Sequence, residues 1–199
     1  MRARDRRAND DTYAPWRITF RPLALDDLAD LRRWLNAPHV YEWWGVTSGP
    51  GSLGGPGADA ATEDQVREKY VPWITGDDDA TTHRHVIELD GRAIGLIQHY
   101  RLEDEPEYAA AIGEAAPGAA GIDLLIGEVD DVGRGVGAAT LDAYVRGVVF
   151  ADGLITRATA GPHPDNRRSC RAFEKAGFVA VRDVVVPESG PERIHVRTR

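Results

Sequence analysis

The sequence has few of the features that mark a secreted or membrane-embedded chain. Cys170 is the only cysteine among 199 residues, which excludes an intrachain disulfide and predicts a cytoplasmic protein. We interpret Cys170 as a small buried residue rather than a nucleophile. No run approaches the roughly 18 apolar residues of a membrane span, so no membrane partner is expected. Residues 1–16 carry no apolar stretch after their basic residues, and we predict a flexible polar leader instead of a secretory signal.

Positive charge is also scarce. Lysine occurs only at Lys69 and Lys175, and 32 acidic residues outnumber 24 lysines and arginines, which gives a net charge of −8. A nucleic-acid partner is disfavoured, because such a partner requires a basic face. An acidic protein instead raises the local concentration of a cationic ligand.

Residues 17–199 have the alternation and helical spacing of one α/β domain. The order β-α-α-β-β-β-α-β-α-β-β mixes hairpins with crossovers, which predicts an α/β (α+β) fold with a mixed central sheet flanked by helices. A Gly-, Pro- and Ser-rich segment, 46–61, is predicted to be a mobile loop. Strands are expected at 17–22, 85–89, 92–100, 121–128, 154–160, 178–186 and 193–198, and helices at 23–36, 62–73, 138–148 and 166–177.

Three local signals refine this order. Thr62 to Gln65 have the pattern of a capping box, which predicts the start of the second helix. Asp90-Gly91 predicts the turn of a hairpin between two strands. The acidic segment LEDEPEY (102–108) is expected to lead into a loop of small residues.

A glycine-rich turn, Gly133-Arg134-Gly135-Val136-Gly137, joins a predicted buried strand to an amphipathic helix. Glycine permits positive φ and a close approach of the backbone to a ligand, and a helix N-terminus favours negative charge. The turn could therefore cradle a pyrophosphate, although a plain strand-to-helix turn would look the same. The Gly-Lys-Ser/Thr of a Walker A loop is missing, and the turn comes too late for a dinucleotide fingerprint.

A second motif follows about thirty residues later, where Asn166 begins a predicted helix that ends in Ala176-Gly177-Phe178. Together the two motifs resemble the GNAT superfamily of acetyl-CoA-dependent N-acetyltransferases. In that family the loop reads Gln/Arg-x-x-Gly-x-Gly/Ala, so Val132 is a departure from it. The resemblance implies acetyl-CoA as co-substrate, no metal, and direct attack of an amine on the thioester.

The GNAT resemblance also assigns the cofactor site. The strand 122–127 would splay from the strand 154–160, so that its backbone could pair with the pantetheine arm. The loop would hold the pyrophosphate, and Asn166 would contact the coenzyme arm. The residues implied for the cofactor are Leu125, Ile126, Val132, Gly133, Arg134, Gly135, Val136, Gly137, Ala138 and Asn166.

Several segments, in order over about 18–199, are similar to the aminoglycoside 6'-N-acetyltransferases. They are WLNAPHVYEWWG (34–45), REKYVP (67–72), the strand end Gln98-x-Tyr100, and AGID (120–123). The resemblance implies that Asp123 is catalytic, and that the substrate, a small cationic amine, is bound by Glu42, Trp43, Trp44, Tyr70, Gln98, Tyr100, Glu107, Tyr108 and Asp165.

The chemistry of these residue types agrees with a polyamine sugar. Aromatic faces such as Trp43 and Tyr100 can bind sugar rings and ammonium groups. A carboxylate at Asp123 can bind the attacking amine and assist its deprotonation. Each group also has a structural interpretation: a tryptophan in the core, an acidic stretch at 103–107 in a solvated loop, a paired Asp123. His83 and His85 are interpreted as ordinary strand residues rather than as a metal site.

Two departures separate the chain from this family. Phe173 stands where the family usually carries the tyrosine that protonates the leaving thiolate, so water or direct thiolate departure would have to serve. In the segment 161–166 one substrate-binding carboxylate is absent unless Asp165 replaces it.

Three other functions remain open from the sequence. Enzymes that acylate lysine or hydroxylysine side chains for siderophores share several of these segments, but typically have His at the position of Asp123. N-terminal acetylation of proteins would want an open acidic groove, and a non-catalytic acetyl-CoA sensor would explain the missing tyrosine. A monomer and a homodimer are equally compatible with the sequence.

Overall fold

The computed structural model describes residues 16–44, 60–77, 81–187 and 189–199. The predicted polar leader, apart from Trp16, and the predicted loop, apart from Ala60 and Ala61, lie outside the described residues. Within the described part of the chain, no helix combines the length and the apolar character needed to cross a bilayer.

The described residues form seven strands and six α-helices. The strands are β1 (Ile18–Pro22), β2 (His83–Leu89), β3 (Arg92–Arg101), β4 (Ala119–Ile126), β5 (Arg157–Ala160), β6 (Val179–Val186) and β7 (Gly190–Thr198). The helices are α1 (Leu28–Leu35), α2 (Pro38–Trp44), α3 (Glu63–Thr75), α4 (Pro106–Ile112), α5 (Val136–Gly147) and α6 (Arg167–Lys175).

The strands form one mixed sheet in the order β1-β2-β3-β4-β5-β7-β6, in which the pair β4–β5 is parallel and the other pairs are antiparallel. The ladder between β4 and β5 runs from Ala119–Arg157 to Gly121–Thr159, and β4 continues beyond it to Ile126. The two strands therefore part after Gly121, as the GNAT resemblance predicted.

Helices cover both faces of this sheet. On one face, Leu141 and Tyr144 of α5 and Phe173 of α6 pack against strand residues that include Ile97 and Ile122. On the other face, residues of α1 and α3 pack against Val86, Leu96 and Leu125. Because Leu96 and Ile97 are adjacent on β3, their alternation places one in each core layer.

Several local predictions are confirmed. Thr62 caps α3 by accepting from the backbone N–H of Gln65, whose side chain accepts from the N–H of Thr62. Asp90 and Gly91 turn the β2–β3 hairpin with φ of 52° and 82°. Asn166 caps α6 by accepting from Ser169 N at 3.1 Å.

Three assignments were wrong. The segment after LEDEPEY is not a loop, because Pro106 begins α4 and Gly113, at φ 74°, ends it. The segment from Pro38 to Trp44 forms a further helix, α2, that the predicted order lacked. The predicted strand 154–160 begins only at Arg157, where its pairing with β4 starts.

Candidate active site

A cavity of about 720 Å³ opens where β4 and β5 part. One wall is β4 from Ile122 to Ile126, and the opposite wall runs from Ala160 through Asn166 into α6. The turn before α5 closes one end, and α2 lies along the rim. The splayed sheet thus produces a cleft that brings together segments distant in sequence.

The turn before α5 has the geometry of an anion cradle. Gly133 and Gly135 adopt φ of 81° and 90°, and α5 begins directly after them at Val136. Asp131 is 1% exposed and pairs with Arg92 and Arg134, which ties the base of the turn to β3. The N–H groups at the start of α5 therefore have a fixed position from which to bind a phosphate.

Most of the predicted cofactor residues line the cavity, namely Leu125, Ile126, Val132, Gly133, Gly135, Gly137, Ala138 and Asn166. Val136 is fully buried in the core and Arg134 extends to Asp131, so their side chains are engaged elsewhere. The carbonyl oxygen of Ile126 contacts His39 Nε2 at 2.9 Å. The side-chain oxygen of Asn166 accepts a hydrogen bond from Ser169 N, so its side-chain nitrogen is the atom left to contact a ligand.

Helix α6 adds positive charge that the sequence analysis missed. Four of its cations line the cavity: Arg167, Arg168, Arg171 and Lys175. In a chain with a net charge of −8, this clustering gives the cavity one basic wall. The basic wall and the glycine turn together fit a ligand with several phosphates, as coenzyme A is.

Asp123 lies on the β4 wall of the same cavity. Its Oδ2 accepts a hydrogen bond from Gln98 Nε2 at 2.8 Å. Burial raises the pKa of Asp123, while the hydrogen bond from Gln98 and the charge of Arg84 oppose the rise. A carboxylate with increased proton affinity at a cavity wall can take a proton from a bound ammonium group.

Four of the predicted substrate residues meet at the cavity rim. Glu42, Trp43 and Trp44 come from α2, and Asp165 comes from the opposite segment. The Trp43 and His163 rings lie 5.7 Å apart, so the two segments touch. Trp44 packs against the α1–α3 core.

The described residues that line the cavity do not include Tyr70, Gln98, Tyr100, Glu107 or Tyr108. Each of them has a different environment. Tyr70 is 3% exposed beneath Arg84, Gln98 binds Asp123, and Glu107 is exposed on α4. Tyr100 packs on the backbone of Gly121, and Tyr108 donates to Glu192. Gln98 and Tyr100 thus lie behind the cavity wall.

Sequence reasoning missed two charged residues of this region. Arg84 on β2 contacts Gln98, and Glu192 on β7 is fully buried next to Gly161. Period-two alternation places Arg84 on the same face of the sheet as Val86. Nothing in the sequence near Arg84 predicts which side chains of α3 and β3 it contacts there. Nothing in the surrounding sequence PESGPERI marks Glu192 as buried.

Two further candidates have structural explanations. Cys170 is buried, burial raises the pKa of its thiol, and it is outside the set of described residues that line the cavity. His83 and His85 flank His99 with ring distances of 4.7 and 6.4 Å. In the part of the chain that the structure describes, no three His, Cys, Asp or Glu side chains are arranged to hold a metal ion.

Comparison with known proteins gives one consistent result. Residues 24–186 match the acetyltransferase (GNAT) domain family. The aminoglycoside N(6')-acetyltransferase type 1 of Klebsiella pneumoniae is 33% identical over 190 residues, which cover 92% of this chain and 83% of that protein. A kanamycin resistance protein of Rhizobium radiobacter is 36% identical over 86 residues, or 43% of this chain and 78% of that protein.

Solved structures agree with the sequence comparison. Aminoglycoside acetyltransferase AAC(6')-Ib in complex with coenzyme A and kanamycin superposes with a TM-score of 0.70 at 29% identity, covering 92% of this chain and 95% of that chain. The same enzyme with ribostamycin and coenzyme A gives a TM-score of 0.70 at 31% identity, with 92% and 93% covered.

Proposed function

The chain belongs to the GNAT acetyltransferase family, and from this premise we propose that it transfers the acetyl group of acetyl-CoA to the 6'-amine of an aminoglycoside. The relatives that it resembles over nearly its whole length carry that activity in their names. The geometry of the cavity supports an aminoglycoside as the acetyl acceptor.

One observation carries the proposal. The same cavity is lined by the cations of α6 and the glycine turn, and also by the carboxylate of Asp123 and the tryptophans of α2. An anionic coenzyme and a cationic amine need opposite charges, and the cavity offers both within a single volume. This arrangement fits a ternary complex in which the two substrates meet at β4.

The cofactor half has defined roles for its residues. N–H groups of the turn from Val132 to Ala138 would bind the pyrophosphate, and cations of α6 would bind the remaining phosphate charge. The backbone of Leu125 and Ile126, beyond the end of the β4–β5 ladder, would pair with the pantetheine amides. Acetyl-CoA supplies the thioester carbonyl at which the amine nitrogen forms its new bond as the carbon–sulfur bond breaks.

Asp123 has two tasks in this scheme. It binds the incoming amine as an ammonium ion, and it accepts the proton that the amine must lose before it can attack. Burial raises the pKa of Asp123, and a higher proton affinity favours that transfer. Phe173 lines the cavity but has no proton to give, so the leaving sulfur departs as a thiolate and takes its proton from water.

The remaining ammonium groups of an aminoglycoside would bind at the rim. Glu42 and Asp165 are exposed carboxylates on opposite sides of the cavity, and Trp43 of α2 also lines it. An aromatic face at this position can hold a sugar ring or an ammonium group. A single buried cysteine agrees with a cytoplasmic location, where acetyl-CoA is available.

Release of free thiol from acetyl-CoA tests the proposal, with kanamycin, lysine and a short peptide as separate acceptors. We expect release with kanamycin and only the amine-free background with lysine or peptide. Release with lysine alone would replace the proposed substrate with a siderophore-type side-chain amine. Background rates with every acceptor, in a protein that still binds acetyl-CoA, would favour a sensor.

A further inference from the structure

Three polar side chains form one row across three adjacent strands. Arg84 of β2 is the register partner of Gln98 on β3, and Gln98 is the partner of Asp123 on β4. Arg84 Nε donates to Gln98 Oε1 at 3.1 Å, and Gln98 Nε2 donates to Asp123 Oδ2 at 2.8 Å. The row connects a cation outside the cavity lining to the carboxylate on the cavity wall.

Helix α3 holds the first member of this row in place. The guanidinium carbon of Arg84 lies 4.7 Å from the centre of the Trp73 ring and 5.8 Å from that of Tyr70. A guanidinium packed on two aromatic rings loses much of its rotamer freedom. Because arginine stays charged in proteins, these cation–π contacts are present at every working pH. The sequence predicted that Tyr70 binds the cationic substrate, but in the structure the guanidinium of Arg84 faces the Tyr70 ring.

The hydrogen-bonding capacity of the three groups allows one orientation of the row. A guanidinium only donates, and an ionised carboxylate only accepts. The amide of Gln98 satisfies both neighbours only if its oxygen faces Arg84 and its nitrogen faces Asp123. A flipped amide would oppose N–H to N–H at Arg84 and oxygen to carboxylate oxygen at Asp123.

We propose that Arg84 is a positioning residue that acts through Gln98: it fixes the amide so that an N–H group always faces Asp123, and thereby selects the ionised, proton-accepting form of Asp123. Arg84 needs no contact with either substrate for this role. With respect to catalysis the inference rests on the proposed function, but the row itself exists in the free protein.

Other charged and titratable groups surround Asp123, and Arg84 acts on the Asp123 carboxylate together with them. Tyr70 of α3, Tyr100 of β3, Tyr108 of α4 and Glu192 of β7 all interact with the charge of Asp123. The phenols are neutral and Glu192 is a second carboxylate. Among these neighbours Arg84 is the cation, and its charge lowers the pKa of Asp123 against the effect of burial.

The experiment follows Asp123 directly, in protein labelled with ¹³C at the aspartate carboxylates. The Asp123 signal is assigned by its loss in Asp123→Asn, and its titration midpoint is measured without any substrate. In Arg84→Gln the midpoint should rise by about one pH unit, because the opposing cation and the fixed amide are both lost. Arg32→Gln, an exposed charge on α1, is the matched control and should leave the midpoint unchanged.

Arg84→Lys keeps the charge but loses the planar guanidinium, so its midpoint should rise by about half a unit. If Arg84→Gln does not fold, Arg84→Lys decides. A midpoint equal to that of the wild type in the folded Arg84 variants would overturn the proposal. A purely structural role of Arg84 predicts that result.

The acidic limb of the kcat/KM profile provides a second measurement. It should move to higher pH in Arg84→Gln by the same amount as the carboxylate midpoint. If no aminoglycoside is acetylated, the carbon titration still tests the row, and the proposed function alone fails. If the wild type acetylates aminoglycosides but the midpoint does not depend on Arg84, this inference alone fails.

Discussion

Tyr108 donates its hydroxyl proton to Glu192 Oε2 at 2.9 Å, and this contact joins α4 to β7. Glu192 is fully buried, and its other oxygen accepts from Ser189 Oγ at 2.8 Å. Burial raises the pKa of Glu192, while the donors Ser189 and Tyr108 oppose the rise. A Cβ atom on Gly161 would lie 1.9 Å from Glu192 Oε2, so the carboxylate lies directly behind a residue of the cavity wall.

Loss of the Tyr108 hydroxyl group should destabilise the fold. We expect Tyr108→Phe to lower the free energy of unfolding by about 1–3 kcal/mol, because a buried carboxylate oxygen loses its partner. Urea titration measures the loss. In a double-mutant cycle the same change should cost less in Glu192→Gln, whose side chain is uncharged. Equal costs in both backgrounds would show that the two residues are not coupled.

The glycine turn offers a prediction with a closely matched control. Gly133 and Gly76 both adopt φ of 81°, and a Cβ atom on either would meet nothing within 4 Å. Alanine at each should therefore cost a similar conformational strain, about 1–2 kcal/mol. We expect only Gly133→Ala to weaken acetyl-CoA binding, since Gly76 ends α3 and lies outside the cavity lining.

Calorimetry with acetyl-CoA checks this prediction. The affinity of Gly76→Ala should match that of the wild type, and the affinity of Gly133→Ala should fall about tenfold, which corresponds to about 1.4 kcal/mol. Equal affinities in the two variants would mean that the turn before α5 does not bind the coenzyme.

The elements with strong local signals were predictable. Thr62, the Asp90-Gly91 turn and Asn166 each fix their own backbone through short-range hydrogen bonds or positive φ, and the structure confirms them. The parting of β4 from β5 followed from the GNAT resemblance. Helix α4 was missed because its small residues, Ala109 to Ala111, carry little amphipathic pattern, and Pro106 and Gly113 define its ends.

The hydrogen-bond network behind the cavity could not be predicted from the sequence, since it depends on the register between strands that are distant in the chain. Arg84 and Asp123 are brought together by the pairing of three strands, with Gln98 between them. Tyr108 and Glu192 are separated by 84 residues. A local sequence pattern shows the residue type in such cases, but the partner is set by tertiary packing.

A histidine cluster beneath α5 gives a prediction about acid stability. Tyr144 Oη lies 2.8 Å from Nδ1 of both His85 and His99. Burial, together with the charges of His83 and His85, lowers the pKa of His99 to about 4 from 6.5, although Asp152 opposes the shift. The pKa of His85 is also lowered, by burial first and then by His83.

Below pH 6.5 the unfolded chain binds protons that folded His99 does not, so stability is complete above that pH and falls towards pH 4. The loss at pH 5 should be at most about 2 kcal/mol from His99. Urea unfolding at pH 7.5 and 5 should show a smaller difference between the two pH values in His99→Gln than in the wild type. His163→Gln, outside this cluster, should keep the full difference, and an unchanged pH dependence in His99→Gln would contradict the assignment.

Removal of the carboxylate from Asp123 should abolish most turnover. In Asp123→Asn we expect kcat to fall by about 10²–10⁴, the range of general base catalysis, with little change in acetyl-CoA affinity. Asp183→Asn, an exposed residue of β6 paired with Arg193, removes the same charge outside the cavity lining and should leave kcat unchanged. Unaltered kinetics in Asp123→Asn would remove Asp123 from the mechanism.

The central claim is that the chain acetylates the 6'-amine of an aminoglycoside, and a matched pair of acceptors tests it most directly. Neomycin and paromomycin differ in carrying an amine or a hydroxyl at the 6' carbon. The measurement is thiol release with each acceptor, followed by location of the acetyl group by NMR. We predict stoichiometric release and a 6'-N-acetyl product with neomycin, and release at the amine-free background with paromomycin. Equal release from both acceptors, or an acetyl group on another nitrogen of neomycin, would contradict the account.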